Sequence, residues 1–428
     1  MSLRGEGIAL APAPAVLQPA ETKGFMAGNS LLTISMITRE AARILTNNLC
    51  FTKQIRRNYS DEFARSGAKI GSVLNIRKPP KYIGRTGRVC AVEDVVETSV
   101  PLALTTQFGV DMTFTSAELA LSIDDFSDRI LKPAVAVVAN KIDFDMMGLY
   151  STVPNVVGAA GTVPNTLLTY LMAGVALDDN MAPRDNNRAV VVNPIQQATI
   201  VDALKGLFQS ADQIEDQYEK GTMGITAGFK WCMDQNTRVH TAGPLGGAPI
   251  VSGGSQVGST LLVSGFTAAA ALRLKKGDLF TITGVNAVNG QNRQDLGYLR
   301  TFTVTADVNS AADGTASIPI YPPITPTGAF QTVTASPAGG APLTLTFTAG
   351  QKTAQAMAFH KDAFTFATAD LPLPDGVDMA SRVSDDQLGV SVRMIRQYQI
   401  CDDVWPTRLD VLYGFAAIYP ELACRIIS

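Results

Sequence analysis

No glutamate occurs between Glu219 and Glu421, and across 241–350 charged residues of any kind are sparse. Glutamate is a good helix former; the Gly, Thr, Val and Pro that crowd this stretch beside Ala favour turns and strands. Helix signals vanish there. Turn-bounded strands are expected at Leu279–Thr283, Leu299–Thr305, Ala316–Ile320, Thr332–Ala335 and Leu343–Phe347, and Asp313-Gly314 is a hairpin signal. Short strands at this spacing predict a small antiparallel barrel or sandwich inserted into the chain. Its expected core includes Phe280, Ile282, Phe302, Val304 and Phe347, and its flanks are the Gly/Pro run Gly243–Gly247 and the polar segment Gly350–Gln355.

The rest of the chain is mixed. Residues 1–25 read as an extended arm, because Ala11-Pro12-Ala13-Pro14 favours polyproline-like backbone. Either this arm is an extension or Met26 is the original start. Thr38 is placed to cap a helix with Ala41, Ala42, Leu45 and Leu49 on one face. Residues 57–115 are punctuated by Gly, Lys and Arg, and the alternating run Ser72–Arg77 ends before Pro79-Pro80, which a central strand does not tolerate. Lys78, Lys81, Arg85 and Arg88, followed by Glu93, Asp94 and Glu97, suit either a loop docking on a neighbour or a solvated hairpin. The acidic residues Asp124, Asp125 and Asp128 of an adjacent helix are one candidate surface for that loop. Ser122–Asp125 has capping-box form and opens a long helical element, 122–150, interrupted or restarted at Pro133. Its periodic residues are Ala134, Val137, Val138, Lys141, Ile142 and Phe144. A helix over 165–178, a strand Ala189–Val192, and a helix from the Asn193 cap through Pro194 to Phe208 follow. A further amphipathic stretch is Ala211–Lys220. Val390–Tyr398 reads as a half-buried strand, and 406–428 holds another that includes Leu409–Tyr413.

The chemistry-bearing residues are thinly spread. Lys and Arg number 35 against 38 Asp and Glu, a net charge of −3, which excludes a nucleic-acid binder driven by bulk charge. Charged residues are only 17% of the 428, below the roughly 25% of soluble domains, so much surface is expected to be buried, including against other copies. No apolar run approaches the roughly 20 residues that span a bilayer, and the N-terminus lacks the continuous apolar region of a secretory signal. Cys50, Cys90, Cys232, Cys401 and Cys424 are widely spaced and read as free buried thiols, with no zinc-ligand pattern. No nucleophile elbow, P-loop or dinucleotide glycine fingerprint is present. His240 and His360, the two histidines, are read as structural. The pairs Asp124-Asp125, Asp178-Asp179, Asp385-Asp386 and Asp402-Asp403 are read as helix ends and turns, and Asp143 with Asp145 as a polar helix face or helix end. The Asn58-Tyr59-Ser60 sequon matters only in a secreted protein. No catalytic, cofactor-binding or metal residue is assigned, and the chain is not expected to be an enzyme.

Several blocks, in order, resemble the P-twenty-two-like coat family of tailed-phage major capsid proteins. They are SLLTISMITREAARILTNNL, FARSGAKIGSVLNIRKPPKY, SDRILKPAVAVVANKID, NTRVHTAGPLGG with LRLKKGDLFTITGVNAVN, AFHKDAF, and RLDVLYGFAAIYPELACRI, covering Met26 to Arg425. The arm at 1–25 has no counterpart in the common pattern. The resemblance implies an α+β Hong Kong 97-type capsid fold: N-terminal arm, extended loop, peripheral domain with spine helix, axial domain, and an inserted antiparallel β-barrel. The implied division is 1–56 arm and helix, 57–115 extended loop, 116–159 peripheral domain with spine helix, 160–240 first axial part, 241–352 inserted barrel, and 353–428 second axial part with return strands. It further implies a major capsid protein assembling, as hexamers and pentamers, into an icosahedral shell around the double-stranded DNA of a tailed bacteriophage, without catalysis or cofactors. The implied partners are other capsid subunits, a scaffolding protein, a portal and packaged DNA bound without sequence specificity, with no membrane. The implied location is the virion capsid, assembled in the host bacterial cytoplasm. The alternatives are a cytosolic α/β enzyme with a β-rich insertion and a phage tail or surface fibre component.

If the expected insertion is a self-contained unit, residues 238–354 expressed alone should give dispersed amide signals and one cooperative unfolding transition. A collapsed, non-cooperative product would count against it.

Overall fold

The computed structural model describes residues 39–45, 49–57, 59, 73–90, 92, 94–115, 132–204, 224–385 and 390–428. The arm at 1–25, the Thr38 cap, the Ser122–Asp125 box, Asp128, Glu93, Asp386, the sequon's Asn58 and Ser60, Phe208 and the 211–220 stretch lie outside the described residues. Among the described residues the architecture is α+β, with few helices and many strands in three large sheets and a two-stranded ribbon of Ala271–Leu274 with Val308–Ser310.

The central sheet takes the strands in the order Asn155–Gly158, Ala423–Ile427, Lys352–His360, Arg188–Val192, Phe229–Met233 and Ile225–Thr226, with Arg238–Thr241 also pairing Lys352–His360. Side chains alternate between the faces of a strand, so a sheet covered on both sides needs unbroken apolar runs. That is why Ala189-Val190-Val191-Val192 contains no polar residue. Ala189, Val191, Met357, Phe359 and Ala423 face one core together with the helix Lys132–Met147. Val190, Val192, Ala356, Ala358, Cys424 and Ile426 face the other, with Tyr170, Ala173 and Leu177 of the helix Leu167–Asp179 and Ile200 of the helix Pro194–Leu204. Asn193 caps that last helix as expected: its Oδ1 accepts the Gln196 N–H at 2.6 Å, and Gln196 Oε1 accepts the Asn193 N–H at 3.4 Å.

A second, antiparallel sheet runs Val73–Lys78, Thr98–Thr115, Val404–Ala417, Val390–Arg396, Met379–Asp385, with Phe364–Ala369 also on Val404–Ala417. The 18-residue strand Thr98–Thr115 pairs Val73–Lys78 through its first part and Val404–Ala417 through the remainder. The described part of the expected spine helix begins at Lys132, with Pro133 in its first turn. Its buried side is Ala134, Val135, Val138, Ala139, Ile142, Asp143 and Met146. Two expectations are corrected there. Val137 and Phe144 are 50% and 40% exposed, so the apolar face is rotated from the one expected. Asp143 lies in the core and not on a polar face: its carboxylate accepts the Cys50 N–H at 2.6 Å and both the N–H (3.0 Å) and hydroxyl (2.5 Å) of Thr52. The strap 49–55 is thereby fastened across the helix, and Leu49, Phe51 and Ile55 enter the same core as Ala41, Ala42 and Leu45 of the helix at 39–45.

The inserted unit is a nearly closed antiparallel barrel. Its six strands run Leu343–Leu345, Leu279–Val288, Asp295–Val304, Ala316–Ile324, Gly258–Phe266 and Gly247–Val251. The two ends of this sheet meet where Val251 N–H donates to Ala341 O (2.9 Å) and Gly340 N–H to Val251 O (2.8 Å). Closure removes exposed sheet edges. Phe280, Ile282, Phe302 and Val304 are in its core. Phe347 is instead packed with Ala242, Leu279 and Ile427 outside the barrel, where the unit meets the central sheet. Thr332–Ala335 is not a strand; Val333 makes one bridge to Ala287, and Thr332 spends its hydroxyl on Pro323 O and Thr325 N–H. Gly247–Val251 and Gly258–Phe266 were not expected, because the glycines between them read as loop. The Asp313-Gly314 turn is present: Gly314 has φ +81°, and a Cβ there would meet Phe266 O at 2.3 Å.

Burial raises the Asp143 carboxyl from 3.8 to about 6 against the opposing effect of its hydrogen bonds. A carboxyl whose folded pKa exceeds its unfolded one favours folding most at low pH. Stability should therefore fall, by up to about 3 kcal/mol from this group, as pH rises from about 4 to 6. Denaturant midpoints across that range should show the slope in the native chain and a flatter one in Asp143→Asn; equal slopes would contradict the assignment.

Candidate assembly surfaces

The chain leading into the barrel and the chain leaving it run side by side: Arg238–Thr241 pairs with Lys352–Gln355. Beside this two-strand neck, a buried polar junction fixes the barrel to the body. His240 Nε2–H donates to Asp278 Oδ1 at 2.8 Å, which leaves Nδ1 to accept the Tyr150 hydroxyl at 3.1 Å. Asp278 Oδ2 accepts the N–H groups of Gly243 (3.1 Å) and Lys275 (2.7 Å). Gly243 admits no side chain, since a Cβ would lie 2.3 Å from Arg273 O. Arg425, fully buried, donates to Val153 O (2.8 Å), Gly277 O (2.6 Å) and Thr303 Oγ1 (2.8 Å), and the Thr303 hydroxyl donates to Ser151 O (2.9 Å). Burial lowers the Arg425 pKa to about 9, with Tyr150 and Asp278 opposing the shift, so it stays charged at neutral pH. At the barrel's side, Tyr298 donates to Asp179 (2.9 Å) and Tyr321 to Glu421 (2.7 Å).

Among the described residues, exposed apolar side chains cluster most densely in two regions, with others, among them Ile195, Met233, Leu262 and Ile400, lying elsewhere. The loop between Lys78 and Thr98 exposes Tyr82, Ile83, Val89, Val92, Val95 and Val96, with Val89 at 85% and Val92 at 94%. Sequence reasoning singled out its charges: Lys81, Arg85 and Arg88 are exposed and Lys78 half-buried. The valines were the missed signal, an apolar run with no core of its own to join. Asp124, Asp125 and Asp128, the candidate acidic surface for this loop, are outside the described residues. The second region is the outer side of the helix Leu167–Asp179, where Leu168, Leu171, Met172 and Val175 are exposed, Leu168 by 65%. Beside it lies a cleft of about 420 Å³ lined by Leu171, Val175, Asp178, Arg184, Arg188 and Ala227. Asp178 pairs with Arg184 and Arg188, which hold its carboxyl below the usual range.

The remaining singled-out residues make structural contacts. His360 is buried, with Nε2 3.1 Å from Asp185 Oδ1 and Nδ1 accepting the Asp362 N–H. Asp178-Asp179 ends a helix, and Asp402-Asp403 sits in a turn where Asp403 accepts the Tyr398 hydroxyl. The cysteines depart from expectation: Cys90 and Cys401 are exposed, Cys50 and Cys232 half-buried, and Cys424 alone is buried. Cys90 and Cys401 lie on a solvated loop and a turn, where no core is available to them.

A family model described as P22 coat protein, gene protein 5, matches residues 26–425. The chain belongs to the P22 coat protein family. It is a phage major capsid protein, a structural coat component of the virion shell that assembles with other capsid subunits. Neither the enzyme nor the fibre alternative is favoured by this membership. The coat fold also has similar solved structures: the capsid of Ralstonia phage GP4 (8% identity, 97% of this chain and 98% of that one, TM-score 0.45), Mycobacterium phage Che8 (12%, 88% and 90%, 0.42) and the mature capsid of bacteriophage PhiM1 (10%, 84% and 82%, 0.40). A comparison with curated proteins gave no match.

In the coat protein the junction at Arg425 has a measurable consequence. Arg425→Met would leave the Val153 and Gly277 carbonyls and the Thr303 hydroxyl without their donor in a dry site. A loss of about 3 kcal/mol or more is expected in denaturant unfolding of the subunit. Arg425→Lys should recover only part, since an ammonium cannot span three acceptors set for a planar fork. An unchanged midpoint in Arg425→Met would show that the junction is dispensable.

Proposed function

We propose that the coat protein closes its shell through the two exposed apolar regions, the loop around Val89–Val96 and the outer side of the helix Leu167–Asp179. The observation that carries this reading is that exposed bulky apolar side chains cluster on a long excursion and on one helix face, while those on the barrel and the two other sheets, such as Leu262, Met233 and Val73, are more scattered. Contiguous exposed apolar surface on a soluble chain marks a contact with another molecule. In a coat protein that molecule is first of all another subunit, in rings of six and five closing an icosahedron. The basic residues Lys81, Arg85 and Arg88 beside the valines would steer the loop towards an acidic neighbouring surface.

The finer parts of the reading follow from the family. Assembly would take place in the host bacterial cytoplasm with a scaffolding protein and a portal, and the inner surface would meet double-stranded DNA through its backbone, without sequence readout. The subunit would perform no catalysis. The domain division would be 1–56, 57–115, 116–159, 160–240, 241–352 and 353–428, with the paired neck Arg238–Thr241 and Lys352–Gln355 supporting the limits of the insertion.

The test is a Val92→Asp, Val95→Asp double variant. Subunit unfolding should be unchanged, because both side chains are already in solvent. Shell yield, counted by electron microscopy or sedimentation, should fall at least tenfold. Leu168→Glu should act likewise through the second surface. Wild-type shells from either variant would remove that surface from the reading.

A further inference from the structure

The strap that Asp143 fastens across the spine helix brings Cys50 against the edge of the central sheet. Cys50 Sγ donates to Met233 O at 3.5 Å, and Gln54 Nε2, one turn further along the strap, donates to Cys232 Sγ at 3.7 Å. Cys232 immediately precedes Met233 in its strand, and its thiol lies next to that of Cys50. Both backbones are held: Cys50 N–H by Asp143, and Cys232 by its ladder to Val191. Asp143 and Asp234 also face the pair, and Asp234 Oδ2 is buried without a partner. A metal is not what this cluster fits, since among the described residues no three His, Cys, Asp or Glu side chains are placed to hold one ion.

We propose that Cys50 and Cys232 are an oxidation site, a thiol pair that closes to an intrachain disulfide and locks the strap 49–55 to the central sheet. The oxidant is a low-molecular-weight disulfide, RSSR. The Cys232 thiolate attacks one sulfur, the S–S bond breaks, and RS⁻ leaves as Cys232 takes up the mixed disulfide. Cys50 then attacks the Cys232 sulfur and expels the second RS⁻, which carries off the Cys50 proton. Two protein thiols are oxidised, and one RSSR is reduced to two RSH. Turned from Met233 O, the Cys50 S–H can donate to a Cys232 thiolate, which lowers the Cys232 pKa, while the same contact and burial push Cys50 up. The half-buried position admits a small oxidant and keeps other protein thiols out. Because the bond would tie residues far apart in sequence, it would constrain the unfolded chain strongly. The inference concerns one chain and stands whether or not the proposed shell contacts are right.

The full-length chain carrying Cys90→Ser and Cys401→Ser keeps three of its five cysteines. After incubation with oxidised glutathione, alkylatable thiols should fall from three to one, Cys424, which is buried. Peptide mapping should find Cys50 joined to Cys232, migrating as a monomer on a non-reducing gel. Its unfolding temperature should rise by several degrees and return on reduction, with no such rise in an added Cys50→Ser change. Three surviving thiols, a glutathione adduct that never resolves into the cross-link, or a Cys50–Cys232 link between two chains would each overturn the proposal.

Discussion

The Arg425 guanidinium is the point on which the three parts of the subunit converge. Its three hydrogen bonds all go to neutral oxygens: one after the spine helix, two on the barrel. Moving a cation out of water costs several kcal/mol, and such a group is retained only where its donors are satisfied. The cost buys geometric definition, because a planar fork sets distance and angle between the elements it bridges. Arg425 lies on the strand Ala423–Ile427, which is itself locked between Asn155–Gly158 and Lys352–His360. An apolar contact at this point would allow the barrel to slide; the fork does not.

His240 and Asp278 extend the same logic to the neck. Two paired strands alone form a ribbon that can bend. Asp278 receives His240 from the neck, the N–H of Gly243 just beyond it and the N–H of Lys275 within the barrel. One carboxylate therefore ties the last residues of the body to the first residues of the insertion. Phe347, packed on Ile427 and 5.1 Å from the His240 ring, completes the junction from the outgoing side.

The legible parts of this protein were those in which a residue acts within its own segment. Asn193-Pro194 starts a helix through its own side chain and ring, Asp313-Gly314 turns because of its own φ, and the sparse charge across 241–350 marks the barrel because propensity is local. The unexpected parts depend on what lies across a contact. Asp143 reads as a surface carboxylate until the strap supplies three donors. Val137 and Phe144 fit a helical period as well as Val135 and Ala139 do, and only the position of the sheets decides which side is covered. Gly247–Val251 and Gly258–Phe266 are strands because Val251, Leu261 and Val263 complete a barrel core, although the intervening glycines read as loop. The order of family-like blocks conveyed the fold class where periodicity could not.

The extended loop shows how a rigid subunit presents an adaptable contact. Its root is held from two sides of the same chain: Lys78 lies over the Tyr419 ring at 4.9 Å, Lys81 over Phe330 of the barrel at 5.9 Å, and Arg293 of the barrel donates to Tyr82 O at 2.9 Å. Further out, Arg85 bonds to Gly87 O, and Arg77 and Glu97 pair at 3.7 Å. Exposed pairs of this kind contribute at most about 1 kcal/mol. The loop thus leaves the body at an angle set by the barrel, while Val89 and Val92 at its far end stand in solvent. The barrel's tie to Arg425 and its hold on Tyr82 belong to one mechanical chain, which carries the geometry of the central sheet outward to the surface where subunits would join.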